Sequence, residues 1–451
     1  MLHARQLFVH IWFWVAFDII ILVLSDEMKQ KERKIQLSKT EGGYLIEFRV
    51  AQNPWTTYND FLGCLTIMQK ERFSLSAILD FSRITGALYP QVAVSIAGLI
   101  DYYRERFGFV FKVVSNPGSY IEKINLPSPS RVIEREAALR HDIFDKVIRF
   151  ENHKEASFIS KEIYYQLKRA VVCERGVLGG LGWCINEVMD NVFAHAGAPC
   201  GYFMAQIHNR TKVISVSVFD LGCGLLASLR RSGKLDIEDE MAAIDLATQK
   251  GVTEDIKVGQ GNGLYGLSKI IEHNQSHFSI LSGHCSIAYD FGKNEKITKA
   301  KTPIVSEQAR STRVDFTLNY SARIDLRTAL GGYEMYEEID KDLESMSLES
   351  GALVFKIAEK SDGDYASRAS GSRLRTELLN VANSSTERII LDFSDVQMID
   401  SSFGDELVGK IILQIGFLSF NQRFVIQNAN QDIRVVLERA ISIRTKELFD
   451  K

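Results

Sequence analysis

Alternating glycines ahead of a helix are the clearest sign of chemistry in this sequence. Gly259, Gly261 and Gly263 alternate within GQGNGLYGL, which leads into a helical run over residues 267–272. Glycines let a backbone approach a ligand closely, and the free N–H groups at a helix amino terminus attract phosphate. The segment therefore predicts a phosphate-binding loop, and the alternative is an ordinary turn. It contains no GxxxxGKS or GxxxxGKT signature and closes no Rossmann βαβ unit near the chain start.

A second group of polar residues lies on one predicted helix, over residues 181–195, which follows an amphipathic helix predicted over 156–170. Glu187, Asn191 and His195 follow each other at i, i+4 and i+8, so they share one face. A structural helix seldom buries a carboxylate, an amide and an imidazole without partners. The pattern predicts either a solvated face or a polar site that the helix positions.

A third feature is an acidic residue at the end of a predicted strand. Residues 212–220 (KVISVSVFD) alternate between apolar and polar side chains, which predicts a strand with Asp220 on its inward face. Gly222 and Gly224 follow within the turn DLGCG. Because glycine has no Cβ, this turn can bring its backbone close to a ligand beside Asp220.

Taken in order, NEVMDN (186–191), DLGCG (220–224) and GQGNGLYGL (259–267) resemble the GHKL ATPase superfamily of gyrase, MutL, histidine kinases and anti-sigma-factor serine kinases. The likeness covers about residues 157–320. It ends with STRVDF (311–316), which is similar to the closing Gly-Thr strand of the family with Ser in place of Gly. The resemblance implies that the central third of the chain binds ATP with Mg²⁺ as cofactor.

The resemblance also implies a role for each segment. Asn191 matches the asparagine that coordinates the Mg²⁺ bridging the phosphates, and Asp220 matches the carboxylate that accepts from the adenine amine. Residues 225–258 would be a mobile lid, and Asp190 would support the site. The residues expected to bind nucleotide are Asn191, Asp220, Gly222, Gly224, Gly259, Gly261, Gly263, Leu264 and Thr312.

Glu187 determines which kind of enzymatic activity the resemblance implies. Histidine kinases usually carry asparagine at this position, whereas the hydrolytic and serine-kinase branches carry a glutamate that acts as general base for water or a serine hydroxyl. Here the residue is glutamate, which favours an ATPase or a protein serine kinase. Two alternatives stay open: a non-catalytic scaffold that nucleotide stabilises, and a sensor histidine kinase, for which His141-Asp142 is the only upstream candidate.

A short repeat brackets the central segment. The string ILDFS occurs at residues 78–82 and again at 390–394, and each copy is followed by an apolar stretch of helical length and a second apolar strand. This order predicts an α/β unit with parallel strands in both places. The second copy, about residues 351–430, resembles the STAS-like family of anti-anti-sigma factors through DYASRASGSRLRTEL and IILDFSDVQMIDSSFGDEL.

In that family a turn serine is phosphorylated by a partner kinase, and Ser401 and Ser402 occupy the matching position after Asp400. A phosphate there would lie at the positive end of the following helix. The alternative is that Asp400 or Ser401 simply caps this helix. Phe403 separates the serine pair from Gly404, which departs from the family turn. The first copy lacks the paired serines and is interpreted as a degenerate STAS-like module.

The sequence thus predicts an α/β (α+β) chain in which a GHKL α/β sandwich lies between two STAS-like modules. Nucleotide binding would act as a signalling or regulatory switch, with the STAS-like modules as output or partner-binding surfaces. The expected partners are ATP, a regulatory protein and, as an option, a second copy of the chain. The predicted segments are residues 1–27 (a membrane segment or an upstream artefact), 28–125 (degenerate STAS-like), 126–155 (linker), 156–325 (GHKL), 340–350 (short linker), 351–430 (STAS-like) and 431–451 (C-terminal helix).

Composition excludes several classes of protein. The 451 residues carry a net charge of −3, with 45% hydrophobic and 25% charged residues, which fits neither a disordered tail nor a nucleic-acid binder. The six cysteines form no CxxC pair, which argues against a zinc ribbon or disulfide scaffold and favours a reducing cytoplasm. The apolar run over residues 7–24 is interrupted by His10 and Asp18. If this run spans a membrane, the basic residues after it place the rest of the chain in the cytoplasm.

Overall fold

The computed structural model describes residues 34–49, 53–124, 126–231, 237–251, 263–300, 310–332 and 338–450. In these ranges helices pack against three β-sheets, which confirms the predicted mixed α/β fold class. The apolar run over residues 7–24, and Gly259 and Gly261, lie outside the described residues. None of the helices in the ranges above combines the length and the apolar character that crossing a membrane requires. The chain divides into two compact units, of which the first ends at Ser130 and the second begins at Arg131.

The first unit is built around the first copy of the repeat. Its sheet has the order β1-β2-β3-β4, in which β1 and β2 form an antiparallel hairpin and β3 lies parallel to β2 and β4. The elements are β1 (Ile35–Thr40), β2 (Gly43–Phe48), α1 (Pro54–Glu71), β3 (Ser76–Asp80), α2 (Pro90–Phe107), β4 (Val110–Val114) and α3 (Tyr120–Ile124). Both long helices begin with proline, which fits a first helical turn because its missing N–H would be unpaired there anyway. The predicted strand, helix and parallel strand are therefore present.

The second unit contains a sheet of order β11-β10-β9-β12-β8-β7-β6-β5, antiparallel from β6 to β11. Its strands are β5 (Ser130–Arg131), β6 (Ile148–Phe150), β7 (Gly201–His208), β8 (Val213–Asp220), β9 (His277–Ser282), β10 (Cys285–Asp290), β11 (Glu295–Ala300) and β12 (Thr312–Asn319). Residues 131–150, which we predicted to be part of a linker, contribute Val132, Leu139, Ile148 and Phe150 to the core of this unit. They are therefore a folded part of the central domain.

Helices cover the apolar face of this sheet, where Ile214, Val216 and Val218 are buried as their alternation predicts. The helices are α4 (Val132–Leu139), α5 (His153–Ala170), α6 (Val177–Asn191), α7 (Gly224–Arg231), α8 (Glu240–Ala247), α9 (Gly263–His273) and α10 (Leu326–Ala329), and a π-helix π1 (Val192–Ala196) extends α6. Helix α6 begins after Gly176, whose φ is 83°. A Cβ at Gly176 would lie 2.0 Å from the carbonyl oxygen of Ile324, so only glycine fits.

The second copy of the repeat forms a three-stranded sheet of order β13-β14-β15, with both strand pairs parallel. Its elements are β13 (Leu353–Lys356), α12 (Ile357–Lys360), α13 (Arg368–Ser384), β14 (Ile389–Asp392), α14 (Ser401–Gly404), the π-helix π2 (Asp405–Gly409), α15 (Lys410–Ile415), α16 (Phe417–Arg423), β15 (Phe424–Gln427) and α17 (Gln431–Phe449). The residues predicted as a short linker instead form most of helix α11 (Glu338–Met346). Its Leu343 packs against both the central core and the C-terminal core.

A buried polar junction joins this C-terminal region to helix α5. The side chain of Asn380 is fully buried and donates from Nδ2 to the carbonyl oxygens of Lys168 at 2.7 Å and Val171 at 2.8 Å. Its Oδ1 accepts from the N–H of Cys173 at 2.6 Å. Asn380 therefore satisfies three backbone groups at the carboxyl end of α5 that the helix itself leaves unpaired.

Charge pairing at the same junction involves Lys168, which is 1% exposed. Its Nζ lies 2.5 Å from Asp342 Oδ2 in helix α11 and 3.4 Å from Glu377 Oε1 in helix α13. Burial alone would raise the pKa of Glu377, but Lys168 and Lys360 outweigh it and hold this pKa below its usual range. A buried ammonium is tolerable here because two carboxylates neutralise it.

Replacing Asn380 with alanine is expected to destabilise the second unit by about 2 to 3 kcal/mol, because buried backbone groups lose their partners. Asn383→Ala is the matched control, since the Asn383 side chain bonds one group among the described residues, the carbonyl oxygen of Cys173 at 2.9 Å. Chemical denaturation of both variants, followed by tryptophan fluorescence, measures the difference. Equal unfolding midpoints for the Asn380 variant and wild type would contradict this role.

Candidate functional site

Glu187 lies one helical turn before the end of helix α6. Its side chain is half-buried, and burial, followed by the neighbouring Asp190 carboxylate, raises the pKa of Glu187. Gly263, the first residue of helix α9, packs directly against it. A Cβ at Gly263 would lie 2.5 Å from Glu187 Oε2, so a larger residue would displace the carboxylate. The structure thus brings Glu187 to the amino terminus of the helix that follows the glycine loop.

Asn191 is the last residue of helix α6. Its side chain is partly buried and forms no hydrogen bond with any other described residue. The backbone then forms the π-helix π1, which is followed by Gly197 with a φ of 62°. The predicted α-helical register therefore ends at Asn191, and His195 belongs to the π-helix. Single π-helical turns are frequent at functional sites.

Asp220 ends strand β8 on the helix-covered face of the sheet, as the alternation predicts. It is 6% exposed, and its Oδ1 accepts from the N–H of Gly222 at 2.8 Å. Its other oxygen, Oδ2, has no hydrogen-bond donor within the described ranges. Burial raises the pKa of Asp220 to about 7, although the Gly222 hydrogen bond acts in the opposite direction. A buried carboxylate without a cation can be satisfied by a ligand that donates hydrogen bonds.

The turn after Asp220 packs against the π-helix. A Cβ at Gly222 would lie 2.5 Å from both the Cβ and the carbonyl oxygen of Ala196, and the N–H of Cys223 donates to that carbonyl at 2.9 Å. Gly224 has a φ of 77°, and a Cβ there would lie 3.2 Å from the carbonyl oxygen of Arg310. Both glycines are thus required by close backbone approach, and the turn is fixed to the helix end that carries Asn191.

Thr312 begins strand β12 directly opposite Asp220 in the β8–β12 register. Side chains of directly opposed residues lie on the same face of a sheet, so Thr312 is on the helix-covered face with Asp220. It is 9% exposed. The structure therefore brings the last predicted segment to the side of the acidic residue, although the two are far apart in the chain.

Much of the predicted lid is folded. Helices α7 and α8 share a small core, and the side chain of Leu264 packs against it. The nucleotide contact that the sequence predicts for Leu264 stays a prediction. That core contains Leu229, Ile237, Ala243 and Ala247, packed by Leu225, Leu226, Leu246 and Leu264. Glu240 Oε2 accepts from the N–H of His284 at 2.8 Å, and Lys296 Nζ lies 2.6 Å from Asp245 Oδ1. These contacts hold α8 on strands β10 and β11 and the turn that precedes them.

Ser401 and Ser402 lie in the C-terminal region, at the start of helix α14. Ser401 is exposed, whereas the Ser402 hydroxyl donates to the carbonyl oxygen of Ala366 at 3.1 Å. Asp400 occupies the amino-cap position, but its side chain makes no capping hydrogen bond. The predicted capping role of Asp400 is therefore not observed.

Sequence reasoning missed one group of residues around Asn191. His153 Nδ1 lies 3.0 Å from Asp190 Oδ1, and the His153 ring packs edge-on against Phe193 with centroids 4.9 Å apart. Phe193 in turn packs edge-on against Phe150 at 5.6 Å. No sequence signal joins these residues, because His153 and Asp190 are separated by 37 positions on two different helices.

Comparisons with known proteins give two results. Residues 370–434 match a family described as a STAS-like domain of unknown function (DUF4325), so the chain contains a STAS-like domain in its C-terminal region. Among solved structures it is similar to the 43K ATPase domain of Thermus thermophilus gyrase B in complex with an aminocoumarin. That similarity has 15% identity and a TM-score of 0.19, and it covers 42% of this chain and 43% of the other. No curated protein matches the chain.

Proposed function

We propose that the central domain contains a GHKL-type site that binds ATP with Mg²⁺ and hydrolyses the bond to its γ-phosphate. The observation that carries this proposal is Asp220, a buried carboxylate with one oxygen that accepts from no described residue. It lies opposite Thr312 and beside a turn of close-packed glycines. An adenine amine is a hydrogen-bond donor of the kind this oxygen lacks. Helix α9, which begins at Gly263, would offer the free N–H groups of its amino terminus to the phosphates.

The residues present fit a magnesium ion. Asn191 has a partly buried amide without a hydrogen bond to another described residue, and its oxygen is a ligand type that Mg²⁺ accepts. Mg²⁺ usually keeps several waters and phosphate oxygens, so a single protein oxygen can suffice. When bound, the ion would neutralise charge on the phosphates. Asn191 would orient it, and the described side chains of Asp190 and Glu187 add negative charge nearby.

Glu187 would act as the general base. Its raised pKa makes the carboxylate a stronger proton acceptor, and Gly263 at the amino terminus of helix α9 lies against it. In hydrolysis Glu187 accepts a proton from water as the new oxygen–phosphorus bond forms. The bond to the bridging oxygen breaks, and ADP and inorganic phosphate leave.

In the cell we propose that this cycle serves as a regulatory switch, with the STAS-like domain as the surface for a protein partner. The junction at Asn380 and Lys168 supports a direct mechanical connection, because the STAS-like domain is fixed to helix α5, which packs beside the helix that carries Glu187. The structure gives no support to the histidine-kinase alternative, which needs a separate dimerisation helix around His141. The helix that precedes His141 instead packs Val132 and Leu139 into the core of the central domain.

The experiment that tests this proposal incubates the full chain with γ-labelled ATP and Mg²⁺ and follows free phosphate and protein-bound label in parallel. Free phosphate alone supports a regulatory ATPase. Acid-stable label on Ser401 or Ser402 would show that the domain is a serine kinase and contradict hydrolysis as its reaction. Tight ATP binding with neither product would favour the non-catalytic scaffold.

Adenosine affinity is expected to rise about tenfold between about pH 6 and pH 8. The pKa of Asp220 is raised to about 7 in the free protein, and the adenine amine binds the ionised carboxylate. A larger fraction of the site is therefore competent as the pH rises through 7. Adenosine is the probe because it lacks the phosphates that titrate in this range. Competition against a fluorescent nucleotide measures the affinity, with Asp220→Asn as the control that should show no pH dependence.

A further inference from the structure

Asn191 lies at the point where helix α6 changes into the π-helix π1, and a cluster of side chains lies beside this point. The cluster consists of three rings, Phe150 on strand β6, His153 on helix α5 and Phe193 on π1, together with Asp190 on helix α6. The Phe150 and Phe193 rings meet at 84° with centroids 5.6 Å apart, and the His153 and Phe193 rings meet at 61° with centroids 4.9 Å apart. Both are the edge-to-face geometry that aromatic pairs prefer.

His153 contacts residues on both sides of Asn191. Its Nδ1 lies 3.0 Å from Asp190 Oδ1, and its ring packs on Phe193. Asp190 precedes Asn191, and Phe193 follows it by two positions. A single side chain from a neighbouring helix therefore spans the change from α- to π-helix and limits how the backbone at Asn191 can rotate.

The elements that hold the His153 and Phe193 rings are themselves fixed by hydrogen bonds and packing. His153 is the first residue of helix α5, whose start is fixed by Asn152 Oδ1 accepting from the N–H of Glu155 at 3.0 Å. Phe150 is fully buried and lies against Gly201, where a Cβ would come within 2.3 Å of the ring. Gly201 is opposite both Phe150 in strand β6 and Asp220 in strand β8. The cluster thus connects the Asn191 end of the site to the strand beside Asp220.

We propose that Phe193 is a positioning residue that, held between Phe150 and His153, orients the Asn191 amide toward the Mg²⁺ of a bound nucleotide. This inference rests on the proposed function. It assigns Phe193 no contact with substrate. Its effect falls mainly on the part of the binding free energy that depends on Mg²⁺. Asp220 is held by the Gly222 hydrogen bond and the β8–β12 ladder in addition to the contacts of its turn with π1.

The experiment measures ATP affinity of the full chain by calorimetry, once with Mg²⁺ and once with EDTA. Phe193→Ala is expected to lose about tenfold in affinity with Mg²⁺ and less than about twofold with EDTA. Phe193→Tyr keeps the ring and is expected to restore the wild-type ratio. Phe291→Ala is the matched control. Phe291 is a partly buried ring of the same core that stacks on Tyr289, and its removal should leave the ratio unchanged.

His153→Ala keeps the test decisive if Phe193→Ala does not fold. The His153 side chain is 64% exposed, so its removal should preserve the fold and lower the Mg²⁺-dependent part of the affinity several-fold. Equal losses with and without Mg²⁺, or the same loss in Phe291→Ala, would reduce the cluster to a purely structural role and overturn the inference. Wild-type protein that binds no ATP would instead refute the proposed function on which it rests.

Discussion

Glu187→Gln is expected to lower the rate of ATP hydrolysis by about a thousandfold while changing ATP affinity little. The amide keeps the size of the side chain and its contact with Gly263, but it cannot accept the proton from water. Because binding depends on Asp220 and Asn191, occupancy of the site should persist. Phosphate release under saturating ATP and calorimetric titration measure the two quantities independently.

Glu272→Gln is the matched control for this substitution. Glu272 lies on helix α9, pairs with Lys269 at 2.6 Å and is 44% exposed, so its amide variant should hydrolyse ATP at the wild-type rate. An unchanged rate in the Glu187 variant would exclude it as the general base. A parallel loss of affinity and rate would instead indicate that the carboxylate holds the site together.

Asp220→Ala is expected to reduce adenine-nucleotide affinity by about a hundredfold, because the acceptor for the base amine is removed from a buried position.

Asp220→Asn is expected to change the stability of the protein in the absence of nucleotide. The pKa of Asp220 rises from 3.8 in an exposed chain to about 7 in the fold, so its ionisation opposes folding above about pH 4 and most fully above pH 7.

Asparagine cannot ionise, so Asp220→Asn should stabilise the ligand-free protein at pH 8, by at most about 4 kcal/mol. The gain should shrink to below about 1 kcal/mol at pH 4, where the aspartate is protonated in the fold and about half protonated in the unfolded chain. Denaturant titrations at the two pH values measure it. A variant less stable than wild type at pH 8 would show that Asp220 has a structural partner instead of being reserved for a ligand.

The residues that could be predicted are those whose positions follow from local periodicity. The alternation before Asp220 places it on the covered face, and the same period places Thr312 on that face once strands β8 and β12 pair. The repeat likewise predicts parallel strands at β3–β4 and β14–β15. A period of two determines which side chains of one strand share a face, whereas the side-by-side placement of Thr312 and Asp220 also requires the pairing of β8 with β12.

Other features depend on contacts that no local pattern records. The sequence VFAHA has nothing that distinguishes a π-helix from a continued α-helix, so the predicted α-helical register after Asn191 is wrong. The motif that contains Leu264 gives no sign that its side chain packs against a small core formed by the lid helices. Helix α11, predicted as part of a linker, is fixed by Lys168 and Tyr164 of a distant helix.

The central claim is that this chain binds ATP through an adenine-recognising acidic pocket, and calorimetric titration of the full chain with ATP and Mg²⁺ tests it most directly. We expect saturable binding of one ATP per chain and at least about tenfold weaker binding of GTP, whose oxygen at the corresponding position would face the Asp220 carboxylate. Absence of ATP binding, or equal affinity for GTP, would contradict the account.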